Sequence, residues 1–281
     1  MQFKNRRETG IVLADVLLKA WKGQKSLDDY SFKFLDLRDL RVVQASKSNR
    51  TFLEHKIHTH EVKIESDEIE LAAELAYPEK CKGWIIFSHG SGSTKNSPRN
   101  IQIARSLNQI GFGTLLFDLL TEEESKSRDH VFDIELLAWR LSIATRWLRS
   151  RMEWKNLPIG YFGASTGAAA ALQACAFFEA NIFAIVSRGG RPDLARGLEK
   201  IRCPVLLLVG GQDHEVLELN ETAATHIGHC IIKVVLGAGH LFEEPGTLDQ
   251  VSHFSRAWFE HLVDRQDHKP LPPKPFSAHR E

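Results

Sequence analysis

The sequence has few cysteines, and none of them lies close to another. Cys81, Cys175, Cys203 and Cys230 are the four cysteines in a chain of 281 residues. Their spacing excludes a C-x-x-C redox motif and the ligand spacing of a zinc site. Isolated cysteines among apolar residues are usually buried and reduced. We therefore expect reduced thiols and a cytoplasmic location.

The chain also lacks a net charge and a long apolar run. Lysine plus arginine and aspartate plus glutamate both number 36, so no excess of one sign favours nucleic acid or an acidic membrane. The apolar run Val205–Val209 is far too short to span a bilayer. The basic start Lys4–Arg7 leads into a pattern that Asp15 interrupts, which argues against a secretory leader. We expect a small-molecule partner, and neither a nucleic acid nor a membrane.

Strand-like and helix-like patterns alternate along most of the chain. Short apolar runs are typical of buried strands, and apolar residues three and four positions apart are typical of helices. The predicted buried strands cover residues 84–88, 113–120, 157–162, 183–186, 204–209 and 231–236. The alternation predicts an α/β protein with a mostly parallel, doubly wound sheet and helices on both faces.

We divide the chain into three parts. Residues 1–60 are predicted to form an N-terminal helix, over 8–22, and a polar connector. Residues 61–266 are predicted to form the α/β domain. Residues 267–281 are predicted to be an exposed tail, because the prolines of Lys269–Pro275 suit neither a helix nor a central strand.

The most informative stretch is Gly163-Ala-Ser-Thr-Gly167, which follows an apolar run and precedes an alanine-rich helix pattern. This is G-x-S-x-G in the strand, turn and helix context that the motif requires. The two glycines permit a tight turn, which lifts the Ser165 hydroxyl clear of the sheet edge. The start of a helix favours negative charge at the same place. We predict Ser165 to be a nucleophile.

Two further strands end in residues that could activate this serine. Asp213 follows the strand at 204–209, and His240 follows the strand at 231–236. Ligands of such sheets bind at the carboxyl ends of the strands, so Ser165, His240 and Asp213 are predicted to be nucleophile, base and orienting acid. Asp213 could alternatively cap the next helix. His214 and His229 compete with His240, but His214 adjoins the proposed acid and His229 precedes its strand.

Acyl transfer also needs hydrogen-bond donors for the oxyanion that develops on the substrate. The small-residue loop His89-Gly-Ser-Gly-Ser93 ends a predicted central strand. The backbone N–H groups of Ser91 and Thr166 are the predicted donors. This scheme uses no cofactor and no metal, and the pair His58 and His60 has no third ligand at a telling spacing.

Residues 61–264 resemble the α/β-hydrolase superfamily, and more closely its dienelactone-hydrolase-related branch. The resemblance is carried by Phe87–Gly92, Leu115–Glu124, Gly163–Gly167, Gly210–Asp213 and Gly239–Gly246. It implies the α/β-hydrolase fold and carboxylate-bearing lactone substrates. Dienelactone hydrolases carry a cysteine nucleophile where this chain has Ser165, which favours a serine esterase.

A second resemblance concerns the first residues. Phe3–Ala14 resembles the opening of type I phosphoribosyltransferases, which occur fused to hydrolase domains of this kind. The rest of that domain is not visible in the sequence, because Asp28-Asp29 lacks the strand and the Thr-rich phosphate loop expected around it. We expect residues 1–60 to be a remnant or a packing element.

The predicted function is hydrolysis of small carboxylic esters or lactones through an acyl-enzyme. An acyltransferase with the same triad and a catalytically idle interaction protein remain alternatives. Arg188 and Arg191 follow a strand at the active edge, beside Gly189 and Gly190. Because a guanidinium binds a carboxylate through two parallel hydrogen bonds, both arginines are predicted to bind a substrate carboxylate. The alternative is that they pair with surface acids such as Asp193.

Overall fold

A computed structural model describes residues 56–66, 69–179 and 181–263 of the chain. Its centre is one eight-stranded sheet in the order β1-β2-β4-β3-β5-β6-β7-β8. The strands are β1 (Ile57–Ser66), β2 (Ile69–Pro78), β3 (Gly83–Ser88), β4 (Phe112–Phe117), β5 (Ile159–Ala164), β6 (Ile182–Arg188), β7 (Val205–Gly210) and β8 (Cys230–Val235). The β1–β2 and β2–β4 pairs are antiparallel, and the other pairs are parallel.

The described α-helices cover both faces of this sheet. They are α1 (Pro98–Asn108), α2 (Arg128–Phe132), α3 (Ile134–Arg149), α4 (Thr166–Phe177), α5 (His214–Ala224) and α6 (Thr247–Val263). Apolar residues of α3, α4 and α5 pack in the core on one face, and those of α1 and α6 pack in the core on the other. The mostly parallel, doubly wound architecture predicted from the sequence is therefore confirmed.

Burial explains why the central strands were easy to find. Every residue of β3, β4, β5, β6 and β7 is buried, as expected for strands covered on both faces. By contrast, the edge strand β1 is largely exposed and mostly polar. It begins at residue 57, four residues before the boundary placed at 61. His58 and His60 belong to it and stack on Tyr77 of β2, with ring centroids 5.6 and 5.9 Å apart.

Helix α5 begins earlier than the apolar pattern indicates. It starts at His214 instead of at residue 217, because its first turn is polar. The predicted helix over 8–22, the β1–β2 turn at residues 67–68 and the predicted tail at 267–281 lie outside the described residues. No helix within the described ranges is long and apolar enough to cross a membrane.

Candidate active site

Ser165 stands at the junction of β5 and α4 in a conformation that is rare for a residue with a side chain. Its φ is 51° and its ψ is −123°. The surroundings hold it there: its N–H donates to the Arg188 carbonyl at 3.2 Å, and its carbonyl accepts from the N–H groups of Ala168 and Arg191 at 3.0 and 3.2 Å. Backbone strain that the surroundings enforce is typical of functional sites.

The two glycines of the motif are required by close backbone approach. A Cβ atom at Gly163 would collide with the backbone of Ala168, and one at Gly167 would collide with the carbonyl oxygens of Ser88 and His89. Helix α4 therefore starts directly against the end of β3. This packing places the start of the helix, the nucleophile candidate and the loop after β3 in contact.

Asp213 and His240 are joined by a hydrogen bond. The Nδ1 atom of His240 lies 2.7 Å from Oδ2 of Asp213. Asp213 occupies the N-cap position of α5, but its side chain caps nothing, so the capping alternative does not apply. If Nδ1–H donates to the carboxylate, Nε2 of His240 is left to accept a proton.

The loops after β7 and β8 lie against each other, which explains how these two residues meet. The N–H of Gln212 donates to the Ala238 carbonyl at 2.9 Å. A Cβ at Gly210 would lie 2.5 Å from the carbonyl oxygens of Ala238 and Gly239. Only a glycine allows this approach.

The structure brings Ser165 to the same edge as His240, but no hydrogen bond joins their side chains among the described contacts. Arg188 binds the Ser165 backbone, and a Cβ on the next residue, Gly189, would lie 3.0 Å from the His240 carbonyl and 3.7 Å from its ring Cε1. The His240 side chain is 38% exposed. Hydrogen bonds of catalytic groups are often loose until substrate binds.

The loop at residues 89–93, which we call the oxyanion loop, packs closely against Ser165. A Cβ at Gly90 would lie 3.0 Å from the Ser165 Cβ. His89, the first residue of the loop, is half-buried; its Nε2 accepts from the Leu119 N–H at 3.1 Å and its Nδ1–H donates to the Gly90 carbonyl at 3.0 Å. Burial lowers the pKa of His89, so the neutral ring fixes the loop.

The structure places the two predicted oxyanion donors differently from each other. Thr166 is the first residue of α4, so its backbone N–H has no acceptor within the helix. The Ser91 N–H, in contrast, donates to the Thr166 side-chain oxygen at 2.9 Å. The sequence motif did not reveal this use of the Thr166 hydroxyl.

A cavity of about 790 Å³ opens beside this loop. It begins at Gly90, Ser91 and Thr166 and extends past the end of β4. Its wall is partly apolar, with Leu119, Leu120, Val131 and Leu137, and carries polar and charged groups including Thr121, Glu122, Lys126 and Arg128. The cavity thus borders Gly90, which packs against Ser165, and Thr166, which follows Ser165 in the chain.

The two predicted substrate-binding arginines differ sharply. Arg188 is only 8% exposed, and its Nη1 is buried without a hydrogen-bond partner. Burial and the neighbouring Arg99 lower its pKa to about 10, so it carries its charge at neutral pH. Arg191 instead binds Asp193 through two hydrogen bonds of 2.9 and 2.7 Å. This is the surface-acid alternative, and of the two arginines it leaves Arg188 without an anionic partner among the described residues.

A metal site would need several ligating side chains close together in the part of the chain that the structure describes. No group of three or more His, Cys, Asp or Glu side chains is placed there to hold a metal ion.

Comparison with known proteins agrees with this geometry. No family model matches the sequence. The crystal structure of a dienelactone hydrolase from Anabaena variabilis is 43% identical, superimposes with a TM-score of 0.72, and is covered over 99% of its length by 74% of this chain. The chain belongs to the dienelactone hydrolase family. The predicted α/β-hydrolase fold is thereby confirmed, and family membership supports a hydrolase.

Other α/β hydrolases share the fold at lower identity. Est1E from Butyrivibrio proteoclasticus is 17% identical with a TM-score of 0.63, and covers 73% of this chain with 99% of its own.

Two curated proteins from strains of Mycobacterium tuberculosis, each named "Putative phosphoribosyl transferase", are 48% identical over 238 residues, or 84% of this chain. The chain spans about half the length of these relatives, 54%. Their name agrees with the resemblance of Phe3–Ala14, which lies outside the described residues.

Proposed function

We propose that this member of the dienelactone hydrolase family is a serine hydrolase that cleaves small carboxylic esters or lactones through an acyl-enzyme. The observation that carries the proposal is the 2.7 Å hydrogen bond between His240 and Asp213 at the sheet edge where Ser165 is held at φ 51°. A serine hydroxyl needs a base and an oriented imidazole to act as a nucleophile. His240 would be the base for Ser165, and Asp213 would orient its imidazole.

In the first half of the reaction, Ser165 Oγ forms a bond to the substrate carbonyl carbon while its proton passes to His240 Nε2. The tetrahedral intermediate collapses as the carbon–oxygen bond to the leaving alcohol breaks, and His240 returns the proton to that alcohol. In the second half, water attacks the acyl-enzyme in the same way and releases the acid. Asp213 stabilises the imidazolium in both halves.

The substrate we propose carries a carboxylate. The main support is Arg188, a buried cation with no anionic partner among the described contacts. An unpaired buried charge is costly, and a bound carboxylate would offset that cost. The name of the Anabaena relative points to lactones.

The proposal is tested by replacing Ser165 and by labelling it. Ser165→Ala is expected to lower turnover of p-nitrophenyl esters and small lactones by several orders of magnitude. Mass spectrometry after treatment with a fluorophosphonate should place the adduct on Ser165. Label on another residue, or unchanged turnover in the variant, would reject the nucleophile.

A second experiment examines whether the three residues act together. Groups that act as a unit give losses that do not add. The double variant Ser165→Ala, His240→Ala should therefore be little slower than either single variant. Multiplicative losses would mean that the two residues do not share one mechanism.

A further inference from the structure

The hydrogen bond between Ser91 and Thr166 changes the expected oxyanion site. A backbone N–H carries one proton, and that of Ser91 is directed at the Thr166 Oγ1, 2.9 Å from the nitrogen. The contact lies directly beside the nucleophile candidate, because Gly90 packs against the Ser165 Cβ. The Ser91 N–H and the Thr166 hydroxyl therefore both lie close to Ser165.

The Thr166 hydroxyl has a proton left to donate. A threonine hydroxyl has one donor and two acceptor positions, and the Ser91 N–H uses one of the acceptors. No acceptor for the hydroxyl proton is found among the described residues. Thr166 is 3% exposed and forms part of the wall of the 790 Å³ cavity. Its hydroxyl proton is thus available to a ligand in that cavity.

We propose that the Thr166 side chain is a catalytic residue whose hydroxyl donates a hydrogen bond to the substrate oxyanion, in place of the Ser91 N–H. The Thr166 backbone N–H supplies the other donor. The inference rests on the proposed function, because it requires an acyl group on Ser165. The proton stays on Thr166 throughout, and no covalent bond to Thr166 is made or broken.

Three features prepare this hydroxyl for the role. The Ser91 N–H fixes the position of Oγ1 and polarises its O–H bond, since hydrogen bonds in a chain strengthen one another. The branched Cβ of threonine restricts rotation about χ1. The residue also stands at the positive end of α4, where negative charge is favoured. A donor held in place before reaction costs no reorganisation in the transition state.

The test compares Thr166→Val, which has the same shape without the hydroxyl, with Thr166→Ser, which keeps the hydroxyl without the methyl. Loss of one oxyanion donor lowers kcat by about 100- to 1,000-fold, so Thr166→Val is expected to fall in that range with little change in KM. Thr166→Ser is expected to stay within about tenfold of the unaltered enzyme, because the donor is kept.

An alkyl boronic acid gives a second readout. Its tetrahedral adduct on Ser165 places an oxygen where the oxyanion forms, so its inhibition constant should rise in Thr166→Val in parallel with the fall in kcat, and not in Thr166→Ser. If Thr166→Val only disturbed packing, kcat and the inhibition constant of the boronic acid would not change in parallel. If Thr166→Val lacks a cooperative melting transition, Thr166→Ala takes its place in both measurements.

Two results would overturn the inference while leaving the hydrolase proposal intact. One is a Thr166→Val variant with kcat within about threefold of the unaltered enzyme, or above it, which would assign the oxyanion to the Ser91 N–H. The other is a Thr166→Ser variant as impaired as Thr166→Val, which would assign the effect to the methyl group. Failure of the hydrolase proposal is seen separately, as an active Ser165→Ala variant.

Discussion

The side chain of Arg188 is a charged group buried at a cost to stability. Arg188 is 8% exposed, and the positive charge of Arg99 lowers its pKa further. Arg99 itself binds Glu243 at 2.8 Å, so that carboxylate is already engaged. Ionisable residues whose pKa is strongly shifted by burial and by a neighbouring charge cluster at functional sites.

This cost gives the first prediction. Arg188→Met removes the buried charge and keeps much of the volume, so it is expected to stabilise the protein by about 1–2 kcal/mol and raise Tm by a few degrees. The same variant should lose its preference for a monocarboxylate ester over the matched methyl ester. Differential scanning calorimetry and kcat/KM for the two substrates measure the two effects.

Arg191→Met is the matched control, because Arg191 lies nearby but is paired with Asp193. It should leave both Tm and substrate preference nearly unchanged. A Tm that falls in Arg188→Met, together with an unaltered preference, would show that Arg188 has a purely structural role.

His89 gives the second prediction, which concerns pH. Burial lowers its pKa in the folded protein from the ordinary value of 6.5. Above pH 6.5 the ring is neutral in both states; below it the unfolded chain binds the proton first, so stability falls as pH falls through the folded pKa. Protonation would also break the hydrogen bond from the Leu119 N–H.

The measurement is urea unfolding at pH 7.5 and pH 5.0. Other titrating groups contribute as well, so the wild type is compared with His89→Gln, which cannot be protonated. The loss of stability on acidification should be smaller in the variant. An equal loss in both proteins would mean that His89 is not the group responsible.

At the scale of elements, the contact between α4 and the end of β3 is the tightest constraint on the site. It depends on Gly167, where any side chain would strike the carbonyl oxygens of Ser88 and His89. Backbone atoms cannot move aside as the end of a side chain can. Because Gly167 has no Cβ, α4 can pack directly against the end of β3, and this contact sets the position of the Thr166 N–H.

The third prediction follows from this contact. Gly167→Ala should destabilise the protein by about 3 kcal/mol or more and lower turnover, because α4 must shift away from β3. Gly228→Ala is the control: a Cβ there meets nothing within 4 Å, so its effect should lie within about 0.5 kcal/mol. Equal unfolding free energies of the two variants in guanidinium chloride would contradict this account.

Elements buried on both faces were predicted well from sequence, whereas the polar first residues of two other elements, β1 and α5, were not. The runs that form β3 and β7 are apolar throughout, so their existence did not depend on knowing the neighbours. The alternation of Val62 and Ile64 indicates β1 from Glu61 onward, but its polar first residues, 57–60, are recognised only through their pairing with β2. The start of α5 was missed for a similar reason, since its first turn is polar.

The candidate site shows the same division. The positions of Ser165, Asp213 and His240 followed from motif and strand order, because parallel strands bring their carboxyl ends to one edge. The bond from the Ser91 N–H to the Thr166 hydroxyl could not be predicted, since it depends on the rotamer of one side chain. The burial of Arg188 and the pairing of Arg191 with Asp193 could not be predicted either, although the two arginines are close in sequence.

At the scale of the whole molecule, one sheet supplies every group of the candidate site. The loops that follow β3, β5, β6, β7 and β8 each contribute a residue, and all these strands are neighbours in the sheet. The solved Anabaena relative corresponds to only 74% of this chain. We therefore expect the chemistry to need no residue before β1.

The fourth prediction tests this directly. A chain that begins at Leu53 keeps the whole described sheet and should show one cooperative melting transition. Its kcat/KM for the preferred ester should stay within about twofold of the full chain, because every residue of the candidate site comes after Leu53 in the sequence. A large loss of activity in a truncated chain that still melts cooperatively would place a functional group in residues 1–52.

The main chain and the side chain of Arg188 perform separate tasks. Its carbonyl accepts from the Ser165 N–H and so anchors the nucleophile candidate, whereas its guanidinium lies in the buried position described above. A single-codon change can therefore replace the guanidinium while the carbonyl remains. One substitution at Arg188 could therefore change the proposed preference from charged to neutral substrates, while the backbone contact that holds Ser165 is kept.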